Sequence, residues 1–268
     1  MAIELPGGLL RDGRLQRSVT LHELTGVIEL RIGELWSAYR SWPELVTGLL
    51  EAMVVEVGAA RADREALDAL SVGDRRYLML RLLAELQGEQ FWITTSCARC
   101  GKWFDLGLER SSIPVKPAGE GFPFAVAQIG EHSVQLRVPT GADQAAIADE
   151  PREAALRHIA ERCVLAIDGA VSSGPLSAEV RDAIEAALDA VSPDVASQLL
   201  THCPECDCEQ VVEYDPCVPT QDVVTGLFEE IHVMASHYHW SECEILALPR
   251  SRRRMYLGLI ERSALTAH

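Results

Sequence analysis

Four cysteines in two Cys-x-x-Cys pairs are the residues of this sequence best suited to chemistry. The pairs are Cys97-Ala-Arg-Cys100 and Cys203-Pro-Glu-Cys206. A gap of two residues lets one tight turn aim both sulfurs at the same ion, and two such turns supply the four thiolates of a structural zinc site. Because four thiolates close the coordination shell, the predicted Zn2+ is structural and has no open position for catalysis.

Other interpretations of the cysteine pairs stay open at this point. The cysteines could be small buried apolar residues, a redox pair, or ligands of an iron–sulfur cluster. Polar residues inside the pairs, Arg99 and Glu205, argue against simple burial, and the flanking pattern lacks the strand–helix context of a thioredoxin-like motif. Cys208 is a rival ligand because it follows Cys206 so closely. The remaining cysteines, which lie in apolar or helical settings and are predicted to be structural thiols, are Cys163, Cys217 and Cys243.

A weak internal repeat suggests how pairs separated by 102 residues come together. Residues 18–26 read SVTLHELTG and residues 133–141 read SVQLRVPTG, so both follow the pattern S-V-x-L-x-x-x-T-G. Each copy predicts a short strand, a turn and the start of a helix, and Thr140 with Asp143 forms a capping pair for the second helix. Each copy is followed by a helical stretch and then a cysteine pair. We therefore predict two related halves whose cysteine pairs occupy equivalent positions.

The elements that lead into the cysteines can be read from capping signals and periodicity. Ser71 with Asp74 caps the predicted helix DRRYLMLRLLAEL, and Gly88 ends it. The pattern predicts strands for FWITT before Cys97 and KWFDL after Cys100, as in a ribbon hairpin. In the second half we expect helices around 176–190 and 193–200, followed after Cys206 by a strand EQVVEYD.

The C-terminal region reads as three helices. They are DVVTGLFEEIHVMASHY, SECEILAL and RSRRRMYLGLIER. Ser241 and Glu244 form a capping box at the start of the middle helix, and Pro249 separates the last two. By sequence pattern this tail has no counterpart in the first half.

These patterns predict a mixed α+β fold. It consists of two related halves, each with strand, helices and a Cys-x-x-Cys knuckle, joined by a zinc site and extended by a helical tail. The predicted boundaries are 1–112 for the first half, 113–125 for a Pro- and Gly-rich linker, 126–218 for the second half and 219–268 for the tail.

Composition limits the classes of function. The apolar fraction of 48% supports a substantial core, and a formal net charge of −16 argues against nucleic acid as the main partner. Apolar runs fall short of the roughly 20 residues that a membrane span needs, and the N-terminal residues lack the pattern of a signal peptide. We expect a cytoplasmic protein whose cysteines are thiols or metal ligands.

Catalytic motifs are missing from the sequence, so we expect no enzyme and no small-molecule substrate. His232, His237 and His239 cluster in the tail, where we expect them to flank a helix junction. The arginines of the tail could contact the acidic body of the chain or dock on an acidic partner, and DNA binding is the less favoured alternative. The tail residues predicted to bind a partner are Trp240, Ile245, Leu246, Leu248, Arg250, Arg252, Arg253 and Arg254.

Three stretches resemble the baseplate hub assembly chaperones of contractile-tailed phages and of phage-like contractile injection systems. They are LSVGDRRYLMLRLLAELQGEQFWITTSCARCGKWFDL, VQLRVPTGADQ and EEIHVMASHYHWSECEILALPRSRRRMYLGLIER. The resemblance touches both halves and the tail. It implies a non-enzymatic protein that binds baseplate or hub proteins while the particle is built.

The sequence therefore predicts an assembly factor that works by protein–protein binding on a zinc-stapled scaffold. Two alternatives are a permanent structural subunit of the baseplate and a zinc-ribbon regulator that binds DNA through the arginine-rich helix.

Overall fold

Helices and strands are mixed along the whole chain, as the α+β prediction requires. The structure, a computed structural model, describes residues 2–169, 177–215, 218 and 223–266. Within these ranges no helix combines the length and the apolar character needed to cross a bilayer.

The N-terminal region begins and ends with an antiparallel hairpin. Its elements are β1 (Ala2–Arg11), β2 (Arg14–Leu21), α1 (Gly26–Ala38), α2 (Trp42–Met53), β3 (Val54–Val57), β4 (Ala60–Arg61), α3 (Arg64–Asp68), α4 (Val72–Gln87), β5 (Gln90–Ser96) and β6 (Trp103–Glu109). Strands β1 to β4 form one antiparallel sheet in chain order, whereas β5 and β6 pair with each other and with no other strand in the described part of the chain. The largest apolar core lies between this sheet and helices α1, α2 and α4.

Helix α4 follows its predicted signals closely. The Ser71 side chain accepts a hydrogen bond from the Asp74 backbone N–H, and the C-cap is Gly88, whose φ of 89° suits glycine. Its apolar side chains, including Leu78 and Leu82, are buried in the first core. The predicted helix and both of its ends are confirmed.

The second region has a similar but not identical order of elements. It contains β7 (Val115–Lys116), β8 (Phe124–Ile129), β9 (His132–Arg137), α5 (Gly141–Ala146), α6 (Arg152–Cys163), β10 (Val164–Ile167), α7 (Ala178–Val191), β11 (Asp194–Val195), β12 (Gln198–His202) and β13 (Glu209–Glu213). The order β10-β9-β8 makes a three-stranded sheet, β11 pairs with β7, and β12 pairs with β13. Helix α7 covers the inner face of the three-stranded sheet.

The helix predicted around 193–200 is wrong. Helix α7 ends before Ser192, whose backbone is extended, and residues 198–202 form strand β12. The register pairs Gln198 with Glu213 and His202 with Glu209, so this segment is the first strand of the second cysteine hairpin. Pairing with β13 overrides the local pattern that we took for a helix.

Both copies of the nine-residue repeat form a strand followed by a helix start. Thr25 and Thr140 are the N-cap residues, and the helices begin at Gly26 and Gly141. The capping box predicted for Thr140 with Asp143 is present. The strand pairing also recurs in the same register, including a one-residue irregularity: Val19 with Val57 and Leu21 with Val54 in one copy, Val134 with Ile167 and Leu136 with Val164 in the other.

Helix α4 connects the two regions. The Val72 N–H donates to the Pro139 carbonyl, and the Gly141 N–H donates to the Leu70 carbonyl, so the start of α4 lies beside the start of α5. The Arg75 guanidinium is buried next to Gly141, where it donates to the carbonyl oxygens of Leu67 and Pro43. Two backbone hydrogen bonds at the start of α4 therefore join the two regions.

The tail contains α8 (Val223–Tyr238), α9 (Glu242–Leu246) and α10 (Arg250–Thr266). The capping box of Ser241 with Glu244 is confirmed, and Pro249 lies between the last two helices as predicted. These helices form a small core of their own that also includes Leu30 of α1.

Gly73 permits the close packing of α4 on the loop before β11. A Cβ at this position would overlap the carbonyl oxygen of Pro193. We expect Gly73→Ala to lower the free energy of unfolding by about 1–3 kcal/mol, because backbone must move to relieve the overlap. Chemical denaturation measures the change.

Gly226 is the matched control for this prediction. It also lies in a helix, but no described atom beyond its chain neighbours and its own helix backbone lies within 4 Å of a Cβ built there. Gly226→Ala should stabilise the protein by about 0.5–1 kcal/mol through the lower helix propensity of glycine. Equal effects of the two substitutions would contradict the packing described for Gly73.

Asp143 is a buried carboxylate that anchors the start of α5. It accepts hydrogen bonds from Arg137 at 2.8 Å, from Arg162 at 2.9 Å and from the Thr140 N–H at 3.0 Å. Burial acts to raise the pKa of Asp143, but these hydrogen bonds and the positive charges outweigh it and lower the pKa to about 2.

The lowered pKa predicts a pH-dependent stability. The ionised Asp143 stabilises the fold above its ordinary pKa near 4, and this stabilisation is lost as pH falls from about 4 towards 2. Asp143→Asn should therefore cost about 2 kcal/mol at pH 7, and the difference from the unmodified chain should shrink below pH 4. Denaturation of both chains at each pH measures it, and a difference independent of pH would contradict the assignment.

Candidate metal centre

Each cysteine pair lies in the turn of a two-stranded hairpin. In the first, the Cys97 N–H donates to the Lys102 carbonyl at 2.8 Å and the Gly101 N–H donates to the Cys97 carbonyl at 2.9 Å. In the second, the Cys203 N–H donates to the Cys208 carbonyl at 3.0 Å and the Asp207 N–H donates to the Cys203 carbonyl at 2.9 Å. Gly101 and Asp207 have positive φ values of 70° and 55°. The two turns therefore share one hydrogen-bonding pattern and one backbone conformation.

The two turns bring all four sulfurs together. The Sγ atoms of Cys97, Cys100, Cys203 and Cys206 lie within 4.8 Å of one another. The Sγ–Sγ distance is 3.7 Å both from Cys97 to Cys206 and from Cys100 to Cys203. A tetrahedron of thiolates at the usual zinc–sulfur distance of about 2.3 Å has edges of about 3.8 Å. The four cysteines thus fit a structural metal site that draws two ligands from each hairpin.

Backbone hydrogen bonds favour the ionised form of one sulfur at this site, that of Cys97. Cys97 and Cys203 are buried, whereas Cys100 is exposed and Cys206 is partly exposed. The backbone N–H groups of Cys100 and Arg99 donate to the Cys97 sulfur and help lower the pKa of that thiol to about 6. The N–H of Cys208 acts to lower the pKa of Cys206, but desolvation and the neighbouring thiols raise it to about 12. Four adjacent sulfurs do not ionise together readily without a cation, and a dication supplies the missing charge.

Gln210 adds a direct contact between the two hairpins. Its side-chain oxygen accepts a hydrogen bond from the Ala98 N–H at 3.0 Å, and its side-chain nitrogen donates to the Ser96 carbonyl at 3.5 Å. The first hairpin therefore offers both a donor and an acceptor to one side chain of the second. Gln210 was not predicted from the sequence, because nothing in its local pattern distinguishes it from other glutamines in strands.

The remaining cysteines, including the alternative ligand Cys208, lie outside the four-sulfur cluster where the structure describes them. Cys208 lies outside the sulfur cluster, and its Sγ contacts the Glu209 carbonyl at 3.5 Å. Cys163 is buried, and desolvation raises the pKa of this thiol to about 12. Cys243 lies in helix α9, as the predicted helical setting requires, outside the sulfur cluster, and its side chain is exposed. Cys217 falls outside the described residues.

The apolar tail residues predicted to bind a partner face the interior of the chain. Ile245 and Leu246 are buried in the tail core, and Leu248 packs against it. Trp240 stacks on Tyr238 at a centroid distance of 5.0 Å and meets Tyr256 edge to face. In this structure Ile245 and Leu246 stabilise the tail and offer no surface to another protein.

The tail arginines divide into internal and exposed residues. Arg253 is fully buried and pairs with Glu29, and its Nε donates to Glu230 at 2.8 Å. Arg250 donates to the same Glu29 at 2.6 Å. These two arginines therefore hold the tail against α1, which is the intramolecular alternative that the sequence left open.

Arg252 and Arg254 differ from these two because they are exposed. The histidines of the tail form no metal-binding group among the described residues, and the ring of His237 packs against Tyr238. Glu29 is a structural residue that sequence analysis missed. A lone glutamate in an amphipathic helix gives no sign of burial.

Comparison with known proteins gives one match. The model of the family described as T4 bacteriophage base plate protein matches residues 41–218, which is more than half of the chain and includes both cysteine pairs. Neither the comparison with curated proteins nor the comparison with solved structures gives a match.

Proposed function

Because the chain belongs to the T4 bacteriophage base plate protein family, we propose that it is a non-enzymatic assembly factor for a baseplate. It acts as a chaperone for the baseplate or hub of a contractile phage tail or phage-like contractile injection system. The observation that carries this proposal is the convergence of four thiolates from two distant hairpins, which is a scaffold feature with no open position for catalysis.

The metal in this proposal is Zn2+. Four cysteine ligands in tetrahedral spacing favour zinc or an iron–sulfur centre, and a mononuclear site with sulfur edges near 3.7 Å suits zinc. The ion joins hairpins that are separated by about a hundred residues of chain and pair only with themselves in the described sheets. Its role is to hold them in one orientation.

The proposal also treats the two regions as related halves. Their matching strand registers, matching Thr-Gly helix starts and matching cysteine turns support this interpretation. Two equivalent turns can meet across an approximate twofold axis and bind one ion between them. In a symmetric dimer, two copies of the same surface meet across a twofold axis in this way. The long interval between the cysteine pairs then follows from duplication.

Binding to other baseplate proteins is the activity that we propose. The strong negative charge of the chain disfavours nucleic acid. On α10, the helix considered for DNA binding, Arg250 and Arg253 pair with Glu29, and the arginines that stay exposed are Arg252, Arg254 and Arg262. Assembly would take place in the cytoplasm of the producing cell. The exposed Arg252 and Arg254 offer positive charges that suit an acidic surface of a partner.

Co-purification with each baseplate and hub protein of the same particle tests the proposal. We expect one of them to bind the full chain, and Arg252→Glu with Arg254→Glu to weaken that binding, because two rim charges are reversed. The matched control is Arg152→Glu with Arg157→Glu, two exposed arginines of α6. Failure of every baseplate and hub protein to bind would overturn the proposed function.

A second candidate is a permanent structural subunit, which the family description itself favours because it names a base plate protein. Mass spectrometry of purified particles separates the two functions. Absence of the chain from finished particles supports an assembly factor, whereas presence at fixed stoichiometry identifies a subunit.

A further inference from the structure

The tail has a counterpart in the first half, contrary to the expectation from sequence. The helix pair α9–α10 repeats the helix pair α3–α4 with a constant offset of 178 residues. Both begin with a capped five-residue helix, whose N-caps are Asp63 and Ser241. Two backbone hydrogen bonds recur at the same offset. The Ala69 N–H donates to the Glu65 carbonyl, as the Ala247 N–H donates to the Cys243 carbonyl. The Arg75 N–H donates to the Ser71 carbonyl, as the Arg253 N–H donates to the Pro249 carbonyl.

The two helix pairs also bind equivalent sites. The Val72 N–H donates to the carbonyl of Pro139, and the Arg250 N–H donates to that of Leu24, each just before a Thr-Gly helix start. Isolated bridges join Ser71 to Thr140 and Pro249 to Thr25. The two acceptor residues, Leu24 and Pro139, are 115 residues apart, which is also the offset between the two copies of the nine-residue repeat. The helix pair α3–α4, with the buried Arg75, therefore packs on the Thr-Gly turn at 140–141. The pair α9–α10, with the buried Arg253, packs on the turn at 25–26.

Within the described residues, one face of α10 lacks the contact with a strand that the corresponding face of α4 makes. On α4, Asp74 accepts hydrogen bonds from the backbone N–H groups of Gly7 and Gly8 in β1, so this face lies against a strand. The residues of α10 that correspond to Asp74, Tyr77 and Arg81 are Arg252, Met255 and Leu259. All three are exposed, and Met255 and Leu259 have exposed fractions of 62% and 47%. We call these three residues the α10 stripe.

A complementary surface exists on the three-stranded sheet. Helix α7 covers only its inner face, whereas on β8 the outward side chains Phe124 and Val126 are 48% and 57% exposed. Strand β8 is an edge of this sheet in the described residues. Glu120 is exposed in the tight turn that precedes the strand. The sheet thus offers apolar side chains for Met255 and Leu259, and a carboxylate for Arg252.

We propose that the α10 stripe of one molecule binds the outer face of β8 in a second copy of the chain. Both faces lie on one molecule, so the contact is head to tail and joins a helix to a strand, as α4 meets β1 within the first half. Charge complementarity favours a second copy as the occupant, because Arg252 of the stripe would face Glu120 beside β8, on a chain with 40 acidic and 24 basic residues. The inference goes beyond the proposed baseplate function and does not require it.

Sedimentation equilibrium of the full chain over a concentration series tests the contact. We expect masses above the 29.4 kDa of one chain. Met255→Glu with Leu259→Glu, or Val126→Glu alone, should weaken self-association by about tenfold or more, because each places a charge in the apolar contact. Leu156→Glu is the control, since Leu156 is also exposed but lies on α6. Unchanged circular dichroism and zinc content show that the variants fold.

A mixing experiment shows whether the contact is head to tail. The double variant Met255→Glu with Leu259→Glu, called the stripe variant, keeps the β8 face intact, whereas Val126→Glu keeps the α10 stripe intact. When the two are combined, they should form a complex of two chains. A monomeric unmodified chain, self-association that the variants leave intact, or failure of the mixture to associate would overturn the proposal. If the stripe variant instead loses a baseplate protein while the unmodified chain is monomeric, that protein is the occupant and the second copy is excluded. Baseplate binding without self-association would contradict the contact between copies but support the proposed function. The failure of one proposal can therefore be distinguished from the failure of the other.

Discussion

Cys203→Ser is expected to detach the two cysteine hairpins from each other. Removal of one thiolate opens the coordination shell, and structural zinc in zinc-finger peptides contributes about 10–16 kcal/mol of apparent binding free energy that is coupled to folding. Among the described strands, β5–β6 and β12–β13 pair only within themselves, so their cysteine turns depend on the ion and on Gln210 for their mutual position. Away from the turns, Phe91 packs against Tyr214 with ring centroids 6.1 Å apart, and we expect this contact to remain. Hydrogen exchange should increase in both hairpins, while the core between the first sheet and α4 stays protected.

Cys208→Ser is the matched control for this prediction. Cys208 lies two residues beyond Cys206, yet its sulfur is outside the cluster. The control should leave hydrogen exchange and metal content unchanged. If Cys203→Ser and Cys208→Ser behave alike, the assignment of ligands is incorrect.

Arg253→Met is expected to destabilise the chain by about 3–5 kcal/mol, the usual cost of removing one partner from a buried ion pair. The substitution leaves Glu29, which is 1% exposed, with only the partly exposed Arg250 as an ion-pair partner. It also removes the hydrogen bonds to Glu230 and to the Leu248 carbonyl. For a chain of this size the melting temperature should fall by roughly 6–20 °C.

Arg252→Met provides the control for Arg253→Met because it changes the same residue type one position away. Arg252 is exposed, so its effect on stability should stay within about 0.5 kcal/mol. Thermal unfolding of both variants measures the difference. Similar melting temperatures for the two variants would contradict the burial of Arg253 and the attachment of the tail to α1.

Local signals in the sequence predicted the elements around the site well. Serine, glycine and proline positions defined the ends of α4 and of the tail helices, because capping depends on a few neighbouring residues. The Cys-x-x-Cys spacing predicted the turns for the same reason. Strand β12 was mistaken for a helix because its pairing with β13 is a contact across the cysteine turn, which a local pattern does not report.

Contacts between distant residues were not predictable from one sequence. Glu29 pairs with arginines more than 200 residues away, and its position in α1 gives no sign of that partner. The counterpart of the tail was missed because α3–α4 and α9–α10 share backbone hydrogen bonds and a buried arginine more than they share residue types. The nine-residue repeat was visible because its Thr-Gly turn restricts residue choice at both copies.

Metal content of the purified full chain tests the central claim most directly. Elemental analysis should find about one equivalent of zinc per chain, as expected for a single site of four thiolates. The zinc should remain in Cys208→Ser and be lost from Cys97→Ser and Cys203→Ser. Less than about half an equivalent in the unmodified chain, or equal zinc in all three variants, would contradict a zinc staple between the two hairpins.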